Sequence, residues 1–253
     1  MRNSNVLLIV MKINVTNALA RRVSPRGFRK LYSYVVLETL RLRDLSNRIH
    51  YGERAPLYCE LIYVDTRECQ RQLYPHVALR GVYKGLFPGQ VVNRWPEGGF
   101  DRIVDHWKFK ACVRRFRDGA EWCETGVYEH LASLIRKHGS HDDLTNMEDV
   151  RKRYMKIDAI FDEVKRSGRL KTRGELKEAS FREKSGPRIS LGPDGTLYHS
   201  GGGHHRFAMA YVLDIPLPAC VGVVHREALW KFQELRERTR RLKERVRNEP
   251  GMP

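Results

Sequence analysis

The sequence has few cysteines and lacks a long apolar run near its start. Its five cysteines are an odd number in a chain of 253 residues, and no two of them form a CxxC pair. This usage is typical of buried thiols in a reducing compartment, and it excludes a disulfide framework and a cysteine-based zinc site. The apolar run Val6–Met11 is far too short to span a bilayer, and no convincing signal-peptide cleavage region accompanies it. We therefore expect a cytoplasmic protein without a membrane span.

Internal repeats and low-complexity tracts are also missing, and acidic residues are scarce relative to basic ones. The chain has 47 Lys and Arg against 30 Asp and Glu, which gives a formal net charge of +17 at pH 7. An excess of this size favours a polyanionic partner such as nucleic acid, anionic lipid or a phosphorylated ligand. Hydrophobic residues make up 41% of the chain, which argues for a packed core and against a disordered chain.

Apolar periodicity predicts a largely helical region over residues 1–150. A basic amphipathic helix is predicted over Phe28 to Leu45, and strands are predicted over Leu57–Val64 and Gln90–Asn93. From Phe100 onward, apolar residues recur at three- and four-residue steps in three successive stripes. The third stripe ends at Ser167-Gly168, and glycine is typical of a helix C-terminus. Its apolar members are Val150, Tyr154, Ile157, Ile160, Phe161 and Val164.

The pattern changes after residue 186. Two short strands, Arg188–Leu191 and Thr196–His199, flank the turn Gly192-Pro-Asp-Gly195, and an Asp-Gly turn between apolar stretches is a strong hairpin signal. The continuous apolar run Ala219–Val224 predicts a buried strand. A helix rich in Arg, Lys and Glu is predicted over His225 to Val246, where opposite charges at helical spacing stabilise a solvated helix.

A glycine-rich stretch, Gly201-Gly-Gly-His-His-Arg206, stands between the hairpin and an apolar run. This order predicts a loop that leads into the N-terminus of a buried helix. Glycines let the backbone approach a ligand closely, and the first helical turn offers unpaired N–H groups and a partial positive charge. Arg206 adds a planar fork of donors suited to phosphate, and Ser200 adds a hydroxyl donor. We therefore predict a phosphate-binding loop made of Ser200, Gly201, Gly202, Gly203, His204, His205 and Arg206.

The hairpin, the glycine loop, the His-Arg helix and the strand that follows Ile215-Pro-Leu-Pro218 together resemble the ParB/sulfiredoxin superfamily, over roughly residues 157–226. The resemblance implies an α+β protein in three parts. A mostly helical region over 1–150 precedes a small ParB/sulfiredoxin-like mixed-sheet domain over 151–226, and a charged C-terminal helix and tail cover 227–253. It also implies that the loop and helix start bind nucleotide phosphates, with ATP, ADP or CTP and Mg²⁺ as the expected cofactors.

The sequence departs from two branches of that superfamily. Sulfiredoxins carry a nucleophilic cysteine in the loop, where this chain has His204, so reduction of a sulfinic acid by that route is not expected. Partition ParB proteins add a helix-turn-helix domain, where this chain has one basic helix. A third branch, the ADP-dependent serine kinases, implies that the scaffold supports phosphotransfer to a small hydroxyl substrate.

Phosphotransfer requires a base for the acceptor and usually a carboxylate for Mg²⁺. Asp158 and Glu163 lie where the superfamily faces its nucleotide, so we take them with His204 as catalytic candidates, and Lys171 and Arg173 as further phosphate-binding candidates. The alternative hypothesis is a non-catalytic, ParB-like module that binds DNA through its basic surface. The nearby histidines have no zinc-motif spacing, so no metal site is predicted among them.

Overall fold

A computed structural model describes residues 41–73, 88–98, 100–176 and 182–248. The chain divides into two compact units, with the boundary between His50 and Tyr51. The described part of the first unit, residues 41–50, is helical, and this helix, α1, ends at Tyr51. The predicted helix over Phe28 to Leu45 therefore falls mainly outside the described residues, and the run Val6–Met11 falls wholly outside them.

The second unit contains a mixed sheet. Its seven described strands are β1 (Leu61–Val64), β2 (Arg71–Gln72), β3 (Val91–Val92), β4 (Asp101–Arg102), β5 (Arg188–Leu191), β6 (Leu197–His199) and β7 (Leu217–His225). Their order is β1-β7-β5-β6-β2-β4, and β3 pairs with the last residues of β7. β7 is antiparallel to β1 and parallel to β5. All nine residues of β7 are buried, so both faces of this strand are covered.

Six further α-helices follow among the described residues of the second unit. They are α2 (Trp107–Phe116), α3 (Val127–His138), α4 (Met147–Ser167), the single turn α5 (Arg173–Leu176), α6 (His204–Leu213) and α7 (Leu229–Asn248). One apolar core joins residues of the sheet to residues of α2, α3, α4, α6 and α7. Among the residues that the structure describes, no helix combines the length and the apolar character that crossing a bilayer requires.

Local signals at both ends of α4 agree with its predicted course. The side chain of Asn146 accepts a hydrogen bond from the Asp149 N–H, which caps the first turn, and Gly168 ends the helix in a left-handed conformation. The predicted stripe is confirmed at Val150, Tyr154, Ile157, Phe161 and Val164, which are buried. Its sixth member, Ile160, is 45% exposed.

The prediction that a helix begins at Phe100 is wrong for the first turns. Asp101 and Arg102 form β4 and pair with Gln72 and Arg71, and a 3-10 turn follows at Ile103–Asp105. The α-helix begins only at Trp107, where the side chain of His106 accepts a hydrogen bond from the Lys108 N–H. Pairing with a distant strand outweighs local helical spacing here, because the backbone groups of residues 101–103 find partners near β2.

The order of elements after residue 186 is confirmed. β5 and β6 form the predicted antiparallel hairpin, the glycine loop leads into α6, and the buried strand β7 and the charged helix α7 follow. The strand extends beyond the predicted Ala219–Val224. Pro218, which lies outside the predicted range, is part of the strand and pairs with Tyr63.

The sheet combines strands from two distant parts of the sequence. β1 and β3 pair with β7, and β2 pairs with β6, so strands of residues 61–92 join strands of residues 197–225, while β4 pairs with β2. The boundary that the sequence analysis places between residues 150 and 151 falls inside α4. A mixed α and β architecture with a mixed sheet is thus present, and the early region contributes strands to it as well as helices.

Candidate functional site

The glycine loop has a backbone that only glycine adopts easily. Its three residues have φ angles of +131°, +68° and +64° for Gly201, Gly202 and Gly203. At Gly203, the N-cap residue just before α6, an added Cβ would lie 2.6 Å from the Pro187 side chain. Both the backbone conformation and the close packing therefore explain why this loop requires glycine.

Hydrogen bonds tie the loop to the hairpin behind it. The Arg188 N–H donates to the Gly201 carbonyl at 3.0 Å, and His199 Nε2 donates to the Gly202 carbonyl at 2.8 Å. The Gly203 carbonyl accepts the first helical hydrogen bond, from Phe207. The loop carbonyls are thus occupied, whereas the first N–H groups of α6 have no partner within the helix and carry its partial positive charge.

A cavity of about 440 Å³ lies beside this end of α6. Its wall comes from α4, from residues 169–176 and from the start of α6. Six of its lining side chains are cationic and one, Glu163, is a carboxylate, among the residues that the structure describes. The cations are Arg153, Lys156, Arg169, Lys171, Arg173 and Arg206. This excess of positive charge favours an anion over a cation in the cavity.

Arg206 is a largely buried cation on this wall. Its Nη2 donates a hydrogen bond to the carbonyl oxygen of Lys171, and its Nε is buried without a hydrogen-bond partner among the described residues. Burial lowers the pKa of the Arg206 guanidinium. A buried N–H that lacks a partner costs free energy, so an anion that accepts from it would be stabilised.

Arg173 has the same kind of unused donor. Its side-chain Nε is buried without a described partner, and its backbone N–H donates to the two carboxylate oxygens of Glu183 at 3.1 and 3.0 Å. Glu183 is only 1% exposed, and burial raises its pKa although Arg173 and Arg206 oppose that shift. Glu183 therefore positions the segment that carries Arg173. The sequence analysis missed it, because its region has no periodicity that indicates burial.

Lys171 and Glu163 face each other across the rim of the cavity. Lys171 Nζ lies 2.6 Å from Glu163 Oε1, and both side chains are about half exposed. The Lys171 ammonium holds the pKa of Glu163 below its usual range. The pair thus ties α4 to the segment after it on the cavity wall.

Six of the predicted site residues are brought together around the cavity. They are Glu163, Lys171, Arg173, Gly203, His205 and Arg206. The structure also adds Arg153, Lys156 and Arg169, which sequence reasoning missed. Arg153 and Lys156 lie on α4 within a mixed run of charged residues, and only the packing of that helix shows which of them face the cavity.

Ser200 and Asp158 have structural partners elsewhere. The Ser200 hydroxyl accepts from Ser190 at 2.7 Å and lies 3.3 Å from the Arg188 carbonyl, so it is engaged within the hairpin. Asp158 accepts from Arg115 at 3.2 and 3.1 Å and from the Trp122 indole N–H at 3.0 Å. Neither residue belongs to the described lining of the cavity, nor do Gly201 and Gly202.

His204 points to a different cluster from its neighbour His205. Its ring stacks on His106, with centroids 3.8 Å apart, and its Nε2 lies 3.2 Å from Gln72 Nε2. Burial lowers the pKa of His204 to about 2, so the ring is neutral at pH 7. It is not among the described residues that line the cavity, and that position does not suit a catalytic role there.

His205 lines the cavity as a neutral ring. Its Nε2 is buried without a described partner, and its ring meets Tyr154 edge-on at 5.7 Å. Burial lowers the pKa of His205 to about 3. Within the described part of the chain, no group of three or more His, Cys, Asp or Glu side chains is placed to hold a metal ion.

The arginines of α7 whose side chains the structure describes have carboxylate partners. Arg236 lies 2.7 Å from Glu60, Arg238 lies 2.9 Å from Glu68, and Arg240 lies 2.8 Å from Glu237. Positive charge on α7 is thus balanced nearby, as it is on the cavity wall for Lys171 by Glu163 and for Arg169 by Glu175.

The chain was also compared with known proteins. It matches no model of a protein family, no curated protein and no solved structure.

Proposed function

We propose that this chain binds a nucleotide, with its phosphate groups in the cavity at the start of α6. The observation that carries the proposal is the pair of arginines, Arg173 and Arg206, whose buried Nε donors lack described partners beside a helix N-terminus. Phosphate oxygens accept such donors well, and a guanidinium suits their geometry. The resemblance to the ParB/sulfiredoxin superfamily, from which we expect ATP, ADP or CTP, supports the same ligand.

We further propose that the site transfers a phosphate group from the nucleotide to a small hydroxyl substrate. Mg²⁺ is commonly held by one or two carboxylates together with the substrate's phosphates, and Glu163 is the carboxylate on this wall. Mg²⁺ would neutralise phosphate charge, whereas Arg173 and Arg206 would orient the phosphates. Asp158 is engaged by Arg115 and Trp122, so the proposed chemistry does not include it.

The alternative, a DNA-binding module, has less support from the charge distribution. A DNA-binding surface requires Lys and Arg side chains that are available to successive phosphates. The arginines of α7 whose side chains the structure describes instead make ion pairs with neighbouring carboxylates. The cavity beside α6 encloses six cationic side chains, of which Lys171 and Arg169 also pair with Glu163 and Glu175, and an enclosed site suits a small anion better than a polymer.

Calorimetric titration of the chain with ATP, ADP and CTP, with and without Mg²⁺, tests the binding proposal. We expect Arg206→Met to lower the affinity for the nucleotide by about tenfold to a hundredfold, because a hydrogen bond to a charged group is lost while the apolar stem remains. Arg114→Met is the matched control, since Arg114 is exposed on α2 and is not among the described lining residues.

Two results would contradict the proposal. The first is that none of the three nucleotides binds the unaltered chain. The second is that Arg206→Met and Arg114→Met weaken binding equally, which would indicate a general effect of net charge. Phosphotransfer is tested separately, by measuring transfer of a phosphate group from the nucleotide to a hydroxyl compound. Loss of this transfer in Glu163→Gln, while the nucleotide still binds, would show catalysis in addition to binding.

A further inference from the structure

Two buried cysteines form a thiol pair outside the cavity beside α6. Cys59 and Cys220 are 1% and 2% exposed, and their thiols are hydrogen-bonded to each other. Cys59 lies in the turn that enters β1, two residues before Leu61, which pairs with Cys220 on β7. The pair therefore joins two strands that are far apart in the sequence, and no cysteine spacing reveals it.

The two thiols differ in acidity. A hydrogen bond from the Cys220 thiol lowers the pKa of Cys59 although burial opposes this, and the charges of Arg188 and Lys184 add to the shift. The neighbouring Cys59 and burial raise the pKa of Cys220 instead. Since the thiolate is the reactive form of cysteine, Cys59 is the nucleophile of the pair and Cys220 is the thiol that reacts second.

The turn that carries Cys59 has an unusual backbone and lies beside a cavity. Its φ angle at Cys59 is +51°, a left-handed value that costs free energy for a residue other than glycine. Leu57 and Glu60, two near neighbours of Cys59 in the sequence, line a cavity of about 450 Å³. A molecule as small as hydrogen peroxide therefore reaches the turn from that side.

Each cysteine also contacts a segment that shapes the proposed phosphate site. The Cys59 carbonyl oxygen accepts the Glu183 N–H at 3.1 Å, and the Glu183 carboxylate accepts the backbone N–H of Arg173. The Cys220 N–H donates to the Pro187 carbonyl oxygen at 2.7 Å, and Pro187 packs closely against the N-cap residue of α6. A change in the distance between the two sulfurs is thus transmitted to two segments of the cavity wall.

We infer that Cys59 and Cys220 are a redox pair, which a peroxide converts to a disulfide, and that this crosslink lowers the affinity of the cavity beside α6 for phosphate groups. The Cys59 sulfur attacks one oxygen of hydrogen peroxide, the O–O bond breaks, and the departing hydroxide leaves as water with the thiol proton. The Cys220 sulfur then attacks the sulfenic acid, forms the S–S bond and releases a second water. Two thiols thus lose two electrons, and the peroxide gains them.

The crosslink draws the turn that carries Cys59 toward β7. The sulfurs of a disulfide are about 2 Å apart, closer than two sulfurs that share a hydrogen bond. The Cys59 carbonyl moves with its side chain, so Glu183 shifts and displaces Arg173, one of the two arginines that we propose for the phosphates. This effect on affinity rests on the proposed function, whereas the crosslink itself does not.

Intact mass and peptide mapping of the full chain test the crosslink. Cys123, which is exposed, is first replaced by serine so that it does not react or bridge two chains. We expect hydrogen peroxide to remove two of the four remaining thiols, to lower the mass by two hydrogen atoms and to join the peptides of Cys59 and Cys220. Dithiothreitol should reverse the change. Cys69 and Cys112 are internal controls, because they are equally buried and burial raises their pKa.

Two further variants in the Cys123→Ser background keep the assignment specific. Cys59→Ser should leave all remaining thiols reduced after peroxide, whereas Cys112→Ser should leave the crosslink intact. Circular dichroism melting checks that both variants remain folded. Peroxide that leaves Cys59 and Cys220 reduced, or that oxidises Cys69 as fast, would overturn the redox pair.

Calorimetric titration with ATP, ADP and CTP then compares the reduced and crosslinked forms of the Cys123→Ser chain. We expect the crosslink to lower nucleotide affinity by about fivefold or more, and dithiothreitol to restore it. Peroxide should not change the affinity of the variant that also carries Cys59→Ser. Equal affinity of the two forms would overturn the effect on the cavity while the crosslink stands. If the reduced chain binds none of the three nucleotides, the proposed function fails, and the mass measurement still decides on the crosslink.

Discussion

The pair of Glu163 and Lys171 places a carboxylate on the cavity wall. Glu163 Oε1 is 2.6 Å from Lys171 Nζ, so the carboxylate occupies a cation that a phosphate would otherwise use. We expect Glu163→Gln to raise nucleotide affinity about twofold to fivefold when Mg²⁺ is absent, because it frees Lys171 and removes a repulsive charge. Titration calorimetry in the presence of a chelator measures this change.

Asp162→Asn is the matched control for that substitution, since Asp162 is the adjacent residue on α4, is exposed and is not among the described lining residues. A change of net charge alone would give both variants the same affinity. If Glu163→Gln left the affinity in the absence of Mg²⁺ unaltered, Lys171 would not be a cation that the bound phosphates use.

The contrast between Asp158 and Glu163 shows what the sequence does not reveal at single residues. Both are acidic residues on α4, five positions apart, and an α-helix turns by about 140° beyond a full turn over that distance. They therefore face different surroundings: Asp158 contacts Arg115 and Trp122, and Glu163 contacts Lys171. Deciding which of the two carboxylates lines the cavity requires knowing what each face of α4 packs against. Those contacting residues come from distant parts of the chain.

At the scale of elements, the glycine loop and α6 form the junction between the hairpin and the cavity. We expect Gly203→Ala to destabilise the protein by more than the cost of a left-handed residue, about 1–2 kcal/mol, because the new Cβ would also meet Pro187 at 2.6 Å. The displaced loop would also weaken nucleotide binding. Denaturant unfolding followed by circular dichroism measures the loss of stability.

Gly119→Ala separates the two contributions to that loss. Gly119 also has a positive φ, +77°, but an added Cβ there meets nothing within 4 Å. Its substitution should therefore lower stability only by the cost of placing alanine in a left-handed conformation. If Gly203→Ala cost no more than Gly119→Ala, close packing against Pro187 would not be a requirement of the loop.

Local signals explain which elements could be predicted. The turn at Gly192–Gly195, the glycines before α6 and the cap at Asn146 each act within a few residues, and the corresponding elements are present. The two-residue strands β2 and β4 could not be found in this way. They are held by pairing with each other and with β6, over a hundred residues away for β2, and no periodicity accompanies so short a strand.

At the scale of the whole molecule, four histidines, one buried and three partly buried, join the sheet to its helices. His199 lies on β6, His204 and His205 begin α6, and His106 precedes α2. His204 stacks on His106 and lies 4.5 Å from His199, measured between ring centroids. Their charged neighbours include Lys108, whose ammonium further disfavours protonation of His106, His204 and His205. These rings are thus neutral members of the packed interior.

This cluster makes the fold sensitive to acid. Burial lowers the pKa of His106 and His199 to about 4, His205 to about 3 and His204 to about 2, whereas an unfolded chain binds these protons near pH 6.5. Below pH 6.5 the unfolded state therefore holds more protons, and stability falls as the pH falls toward 4. Each such proton lowers the free energy of unfolding by about 1.4 kcal/mol per pH unit at most.

Urea unfolding at pH 7, 6 and 5 measures this slope, and His199→Gln should reduce it by up to one proton. Glutamine can keep a donor for the Gly202 carbonyl that His199 Nε2 now bonds at 2.8 Å, but it does not titrate. The readout is the slope of unfolding free energy against pH, so a uniform loss of stability does not affect it. His138→Gln, at an exposed position on α3, should leave the slope unchanged. An equal slope in all three proteins would show that His199 does not remain neutral in the folded state.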